Sequence, residues 1–167
     1  MKERRNIIKV ACLNTRGLNG ESKKQEVGVM CKKRRIDVLG LSEMKLKGKG
    51  EVMFGNFKVL KSGVSERVRA REGVAIILNE RLWKCVKESK FINSRLMWVK
   101  LKIEEEDWVF ICAYAPVNNS QGNGNEIFWD QLEECLGEFR VSDKVCLLGD
   151  LNARVGDEQV GNVVGPF

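Results

Sequence analysis

Four stretches of the chain are apolar almost without a break, and each stops at a compact polar side chain. VACLN (10–14) ends in Asn14, VLGLSE (38–43) in Glu43, VFICAYAP (109–116) surrounds Tyr114, and VCLLGDLN (145–152) delivers Asp150 and Asn152. Such runs read as strands covered on both faces. Strands that present amides and carboxylates from one end of a sheet build the kind of site that holds a hard divalent cation.

The segments between them fill in an order of elements. Gly17 and Asn19-Gly20 turn the chain after the first strand (7–14), and Ser22 with Gln25 three positions on fits a capping box. Val27, Met30 and Cys31 form a helical stripe, so a helix is predicted over 22–35, with KKRR (32–35) at the end that favours cations. After the strand at 37–43, three lysines and three glycines over 44–56 predict a surface loop. Further strands are predicted at 57–61, 73–78, 83–88, 96–103 and 108–114, the last two joined by the acidic turn EEED (104–107), as a β meander. Phe128, Leu132, Cys135, Leu136 and Phe139 then recur at helical spacing and lead into a strand at 145–149. Beyond Asn152 only the Gly-rich ARVGDEQVGNVVGPF follows. The strongest strand therefore has no successor to cover its side, and the expectation is one domain over 1–167 that lacks its C-terminal portion.

Composition narrows the class. With 43% apolar and 31% charged residues the chain is an ordinary globular sequence, and its 29 basic against 23 acidic residues leave a net charge of +6. The excess is grouped at 32–35, at Lys45, Lys47 and Lys49, and at Arg67, Arg69 and Arg71, which suits either a polyanionic partner or a solvated basic face. The six cysteines form no C-x-x-C pair and sit in apolar runs or on helical faces, so they read as reduced core residues of an intracellular protein, without zinc. Neither a leader nor a membrane-length apolar run is expected. There is no histidine, so any acid–base chemistry falls to carboxylates, to activated water or to Tyr114.

Taken singly, the polar terminators have plain readings: Glu43 as a surface or capping group, Asn14 as a turn former, Tyr114 as a core ring. Asp150 and Asn152 are a stronger signal, because two polar groups after the VCLL run need a ligand or a network to satisfy them. The strings LNTRG, LGLSEMK, GVAIILN, ICAYAP and GDLNARVG, in this order, resemble the endonuclease/exonuclease/phosphatase superfamily, in particular the apurinic-like endonuclease domains of LINE-type retrotransposons and craniofacial development protein 2-like sequences. The likeness runs from about residue 8 to 167 and covers the N-terminal portion of that domain.

The resemblance implies an α/β fold (α+β by some schemes): the N-terminal part of a four-layer sandwich with a mainly antiparallel sheet core, the DNase I-like fold. It implies a metal site at Glu43 and Asn14 for Mg²⁺, with Mn²⁺ as a substitute, and a catalytic set of Glu43, Tyr114, Asp150 and Asn152. Asp150 would activate the attacking water and Asn152 support the phosphate, by in-line attack without a covalent intermediate. Asn14, Arg16, Lys45, Lys47 and Arg154 are the implied phosphate or DNA contacts. The family completes its site with an Asp-His pair on later strands, which this histidine-free chain does not carry. Three readings stay open: a Mg²⁺-dependent DNA endonuclease, impaired by the missing part; a non-catalytic retroelement remnant that binds nucleic acid or a protein; and a phosphatase of small or lipid substrates. DNA is the expected partner, with no membrane and no small-molecule cofactor. The DNA substrate implies a nuclear location, while KKRR serves equally as a nuclear signal or a helix cap.

Overall fold

The structure, a computed structural model, describes residues 7–117 and 123–153; Arg154 and the Gly-rich stretch after it lie outside the described residues. In chain order the elements are β1 (Val10–Asn14), α1 (Glu21–Arg34), β2 (Val38–Ser42), β3 (Lys49–Phe54), β4 (Phe57–Ser62), β5 (Val74–Leu78), α2 (Glu80–Trp83), β6 (Val86–Asn93), β7 (Leu96–Ile103), β8 (Glu106–Tyr114), α3 (Gly124–Gly137) and β9 (Lys144–Asp150). They make a five-stranded sheet ordered β1-β2-β5-β4-β3 and a four-stranded sheet ordered β6-β7-β8-β9. Pairing is antiparallel except for β1 with β2 and β8 with β9, whose connections carry α1 and α3.

Three apolar layers hold these elements in four tiers. Val27 and Cys31 of α1 pack on Leu39, Leu41, Val59, Ala75 and Ile77, the outer face of the first sheet. The inner faces meet through Val38, Leu60, Val74 and Ile76 on one side and Met97, Val99, Phe110, Cys112 and Leu148 on the other. Phe128, Leu132 and Cys135 of α3 cover Trp98, Val109, Ile111 and Ala113 behind the second sheet. Alternation along each strand sends successive side chains to opposite layers, which is why VAIIL and VLGLS are buried throughout. The sheets approach closely at Gly40, where a Cβ would stand 2.8 Å from that of Leu148. That contact draws the ends of β2 and β9 together.

Several local expectations are corrected. Ser22 does not cap α1: the helix starts one residue earlier, Gly20 is its N-cap, and no side chain bonds there. The segment 44–56 is not all loop, because β3 pairs with β4 through a two-residue turn at Gly55-Asn56. Its lysines and glycines suit an edge strand, which hides the strand signal. The predicted strand at 83–88 begins instead with Trp83 ending α2, which Asn79 caps by accepting a hydrogen bond from the Leu82 amide at 2.8 Å. All six cysteines are free, yet Cys12 is exposed where a core position was expected, because β1 is an edge strand. Lys32, Lys33 and Arg34 occupy the last turn of α1, as the cation preference predicts, and Arg35 closes it in the left-handed region. Among the described residues no helix is long and apolar enough to cross a membrane.

Candidate functional site

Because β1 runs parallel to β2 and β8 parallel to β9, Asn14 lies level with Ser42 and Tyr114 level with Asp150. The two sheets present these four strand ends at one rim. The join is direct: Asn14 Nδ2 donates to Asp150 Oδ2 at 3.0 Å, across 136 residues of sequence. Asn14 Oδ1 accepts from the Arg16 amide at 3.1 Å, and Asp150 Oδ1 accepts from the Asn152 amide at 2.9 Å. Asn152 in turn donates from Nδ2 to the Ala115 carbonyl at 2.7 Å. Asp150 is thus oriented from both sides.

The backbone at the rim is unusual. Six non-glycine described residues have positive φ, and four of them, Arg16, Glu43, Lys45 and Asn152, belong to the site. Such conformations cost energy and persist where surrounding bonds enforce them. Here Thr15 Oγ1 supplies part of that enforcement, donating to the carbonyls of Ser42 at 3.0 Å and Glu43 at 3.2 Å. Thr15 is a residue the sequence reading passed over; it lies inside LNTRG, but nothing local marks its hydroxyl as a tie between two strands. Gly149 completes the set. With φ +125° and room for no Cβ against the Ala113 carbonyl, it sets the turn into Asp150.

Electrostatics brings the fourth terminator in. Burial pushes the Tyr114 phenol above its ordinary range; the Glu43 and Asp150 carboxylates add to the rise, while the Arg95 guanidinium and a hydrogen bond with Asn152 oppose it. Both carboxylates therefore act on the same hydroxyl. Glu43 Oε1 is 3.1 Å from Lys45 Nζ. Lys47 turns away and donates to the Glu66 carbonyl at 2.6 Å, while Lys49 bonds the Phe91 and Ile92 carbonyls. Much of the lysine cluster is thereby spent on stitching loops. Arg16, Arg67, Arg69 and Arg71 remain exposed, the last three on a segment tied to the rim where the Met44 amide meets the Gly73 carbonyl at 3.0 Å. A cleft of about 520 Å³ lined by Met53, Phe57, Leu78 and Trp83 lies at the opposite end of the strands, as the pairing of Val38 with Leu78 requires.

The donor set suits a hard cation. Glu43 and Asp150 offer carboxylates, Asn14 Oδ1 keeps a second lone pair, and the Ser42 hydroxyl, buried without a hydrogen-bond partner, is the neighbour of Glu43 in sequence. Among the described residues no three His, Cys, Asp or Glu side chains cluster.

Comparison with known proteins bears on the fold. The endonuclease domain of TRAS1, a telomere-specific non-LTR retrotransposon, superposes with a TM-score of 0.63 at 10% identity over 89% of this chain and 61% of that one. An endonuclease/exonuclease/phosphatase family protein from Leptotrichia buccalis gives 0.61 at 15% identity over 88% and 69%. The chain has the DNase I-like endonuclease/exonuclease/phosphatase fold. An AP endonuclease from Archaeoglobus fulgidus shares this fold at 19% identity and a TM-score of 0.59, over 87% of this chain and 58% of that one. In sequence, craniofacial development protein 2 from Bos taurus is 28% identical over 132 residues, and that of Tragulus javanicus is 26% identical over the same length. The chain spans 22% and 23% of the length of these curated relatives. No family model matches the chain. The expected sandwich is borne out, with two mainly antiparallel sheets between outer helices.

Proposed function

We propose that the rim is the active site of a metal-dependent phosphodiesterase that nicks DNA, an endonuclease of the apurinic and retrotransposon kind. The Asn14–Asp150 hydrogen bond carries this reading, since it unites the two sheets at the point where Glu43 and Tyr114 also converge. Mg²⁺, or Mn²⁺ in its place, would be held by Glu43 with Asn14 Oδ1 and would supply charge neutralisation at the phosphate. Asp150, fixed by Asn14 and the Asn152 amide, takes the proton of the attacking water, a task that falls to a carboxylate in a chain without histidine. Tyr114 donates to a phosphate oxygen, with Asn152 steadying its hydroxyl. Arg16, Lys45 and Arg154 contact the phosphate, and Arg67, Arg69 and Arg71 hold flanking backbone phosphates without reading sequence. A DNA substrate implies work in the nucleus.

The test is relaxation of supercoiled plasmid by the 167-residue chain in Mg²⁺. Nicking is expected to stop with chelator and to fall by about 10²-fold or more in Glu43→Ala and Asp150→Ala. Undiminished nicking in both variants would refute the assignment. A second reading, nucleic-acid binding without cleavage, is favoured by the absence of a three-acid cluster among the described residues. Salt-sensitive duplex binding by a chain that leaves plasmid intact would establish it. Release of phosphate from monoesters, with DNA untouched, would make the site a phosphatase.

A further inference from the structure

Tyr114 is the only tyrosine of the chain, and its ring is gripped by a residue that the scheme above does not use. Arg95 is the second residue of the Ser94-Arg95 turn between β6 and β7, where Asn93 Oδ1 accepts its amide at 2.7 Å. Its carbonyl accepts the Tyr114 amide at 2.8 Å, and its Nη1 donates back to the Tyr114 carbonyl at 3.1 Å. The guanidinium carbon stands 5.1 Å from the centroid of the Tyr114 ring, and Nη2 meets Glu72 Oε1 at 2.6 Å. The other Glu72 oxygen accepts from Ser94 Oγ at 2.5 Å.

We propose that Arg95 is the positioning residue of Tyr114: one guanidinium joins the ring face, the Tyr114 carbonyl and the Glu72 carboxylate, and so fixes where the phenol hydroxyl stands at the rim. The inference rests on the phosphodiesterase reading for its purpose, but not for its geometry. Only a planar fork with several N–H groups meets two acceptors while lying over a ring, which a lysine ammonium does not do. A guanidinium that merely closed the end of the sheet would need the two acceptors but no contact with the ring. The ring contact therefore separates a positioning role from a structural one. Glu72 also begins where the exposed Arg67–Arg71 segment ends, so the same clamp ties that segment to the tyrosine.

The test labels the full chain with 3-fluorotyrosine, which places one fluorine in the molecule, at Tyr114. Ring fluorination makes the phenol more acidic and brings its titration into a range where the protein stays folded. Arg95→Ala is expected to raise the titration midpoint and to move the fluorine resonance toward that of free fluorotyrosine. Arg95→Lys is expected to keep the midpoint near the parent value, because it keeps the charge, while the resonance still moves because the fork is lost. A midpoint and resonance unchanged in Arg95→Ala would overturn the proposal. Should Arg95→Ala not fold, Arg95→Lys decides: a displaced resonance supports the clamp and an unmoved one overturns it. The fluorine signal is read whether or not the chain cuts DNA. Failure of the nuclease reading, seen in the plasmid assay, is thus distinct from failure of this one.

Discussion

At the scale of single residues, the site depends on side chains that hold other side chains. Asn14 spends its amide on Asp150 and on the Arg16 backbone. Asn14→Ala is therefore expected to lower nicking by about 10-fold to 100-fold, the usual effect of losing a group that orients a functional one, with stability little changed because Asn14 is exposed. Gly149 behaves differently. A methyl group there would stand 1.8 Å from the Ala113 carbonyl oxygen, on a backbone already at φ +125°. Gly149→Ala should cost about 2–5 kcal/mol, adding a left-handed penalty to an overpacked contact, and urea unfolding followed by tryptophan fluorescence would measure it. A loss below 1 kcal/mol would mean that the turn into Asp150 relaxes freely.

At the scale of elements, the helices and the strand ends obey different logic. α1 ends with Arg35 at φ 53°, a conformation in which glycine carries no Cβ penalty. Arg35→Gly is expected to raise stability by about 0.5–1 kcal/mol, read as an increase in melting temperature without change at the rim. α3 holds its sheet through Phe128, Leu132 and Cys135, and Leu132→Ala should cost about 2–5 kcal/mol. The amphipathic spacing of that helix was plain in the sequence, as were the apolar strands. The edge strand β3 was not, because lysine and glycine at an unpaired edge protect against association while erasing the alternation that marks a strand.

At the scale of the whole molecule, buried thiols give the stability a pH limit. Burial pushes Cys112 up to about 12, and Cys31 and Cys135 each to about 11. The unfolded chain releases these protons from about pH 8.5. Above that pH the folded state holds more protons than the unfolded one, so stability is full below it and falls as pH rises toward 11 and 12. Cys112 alone, fully enclosed between the sheets, withdraws about 1.4 kcal/mol per pH unit across its window. Urea midpoints at pH 7, 9 and 10 should decline in that order, and the slope should be shallower in Cys112→Ala. The basic surface also acts collectively. With Lys47 and Lys49 bound to main-chain carbonyls, the salt dependence of DNA binding should answer to Arg67, Arg69 and Arg71 more than to the lysine cluster.

The sequence by itself determined the elements and their terminators. Continuous apolar runs, helical spacing and the polar residues that end each strand are local properties, so Asn14, Glu43, Tyr114 and Asp150 were legible as candidates without coordinates. Only the tertiary structure decided which of them meet. Strand pairing assigns β1 and β9 to different sheets, and their union through Asn14 and Asp150 depends on the close approach at Gly40. The same holds for Arg95 and Glu72, which no periodicity distinguishes from other surface charges, and for the lysines whose ammonium groups close loops. Local pattern records what a residue prefers to be near; which partner stands there is set by contacts between segments far apart in the chain, and these form only as the sheets pack.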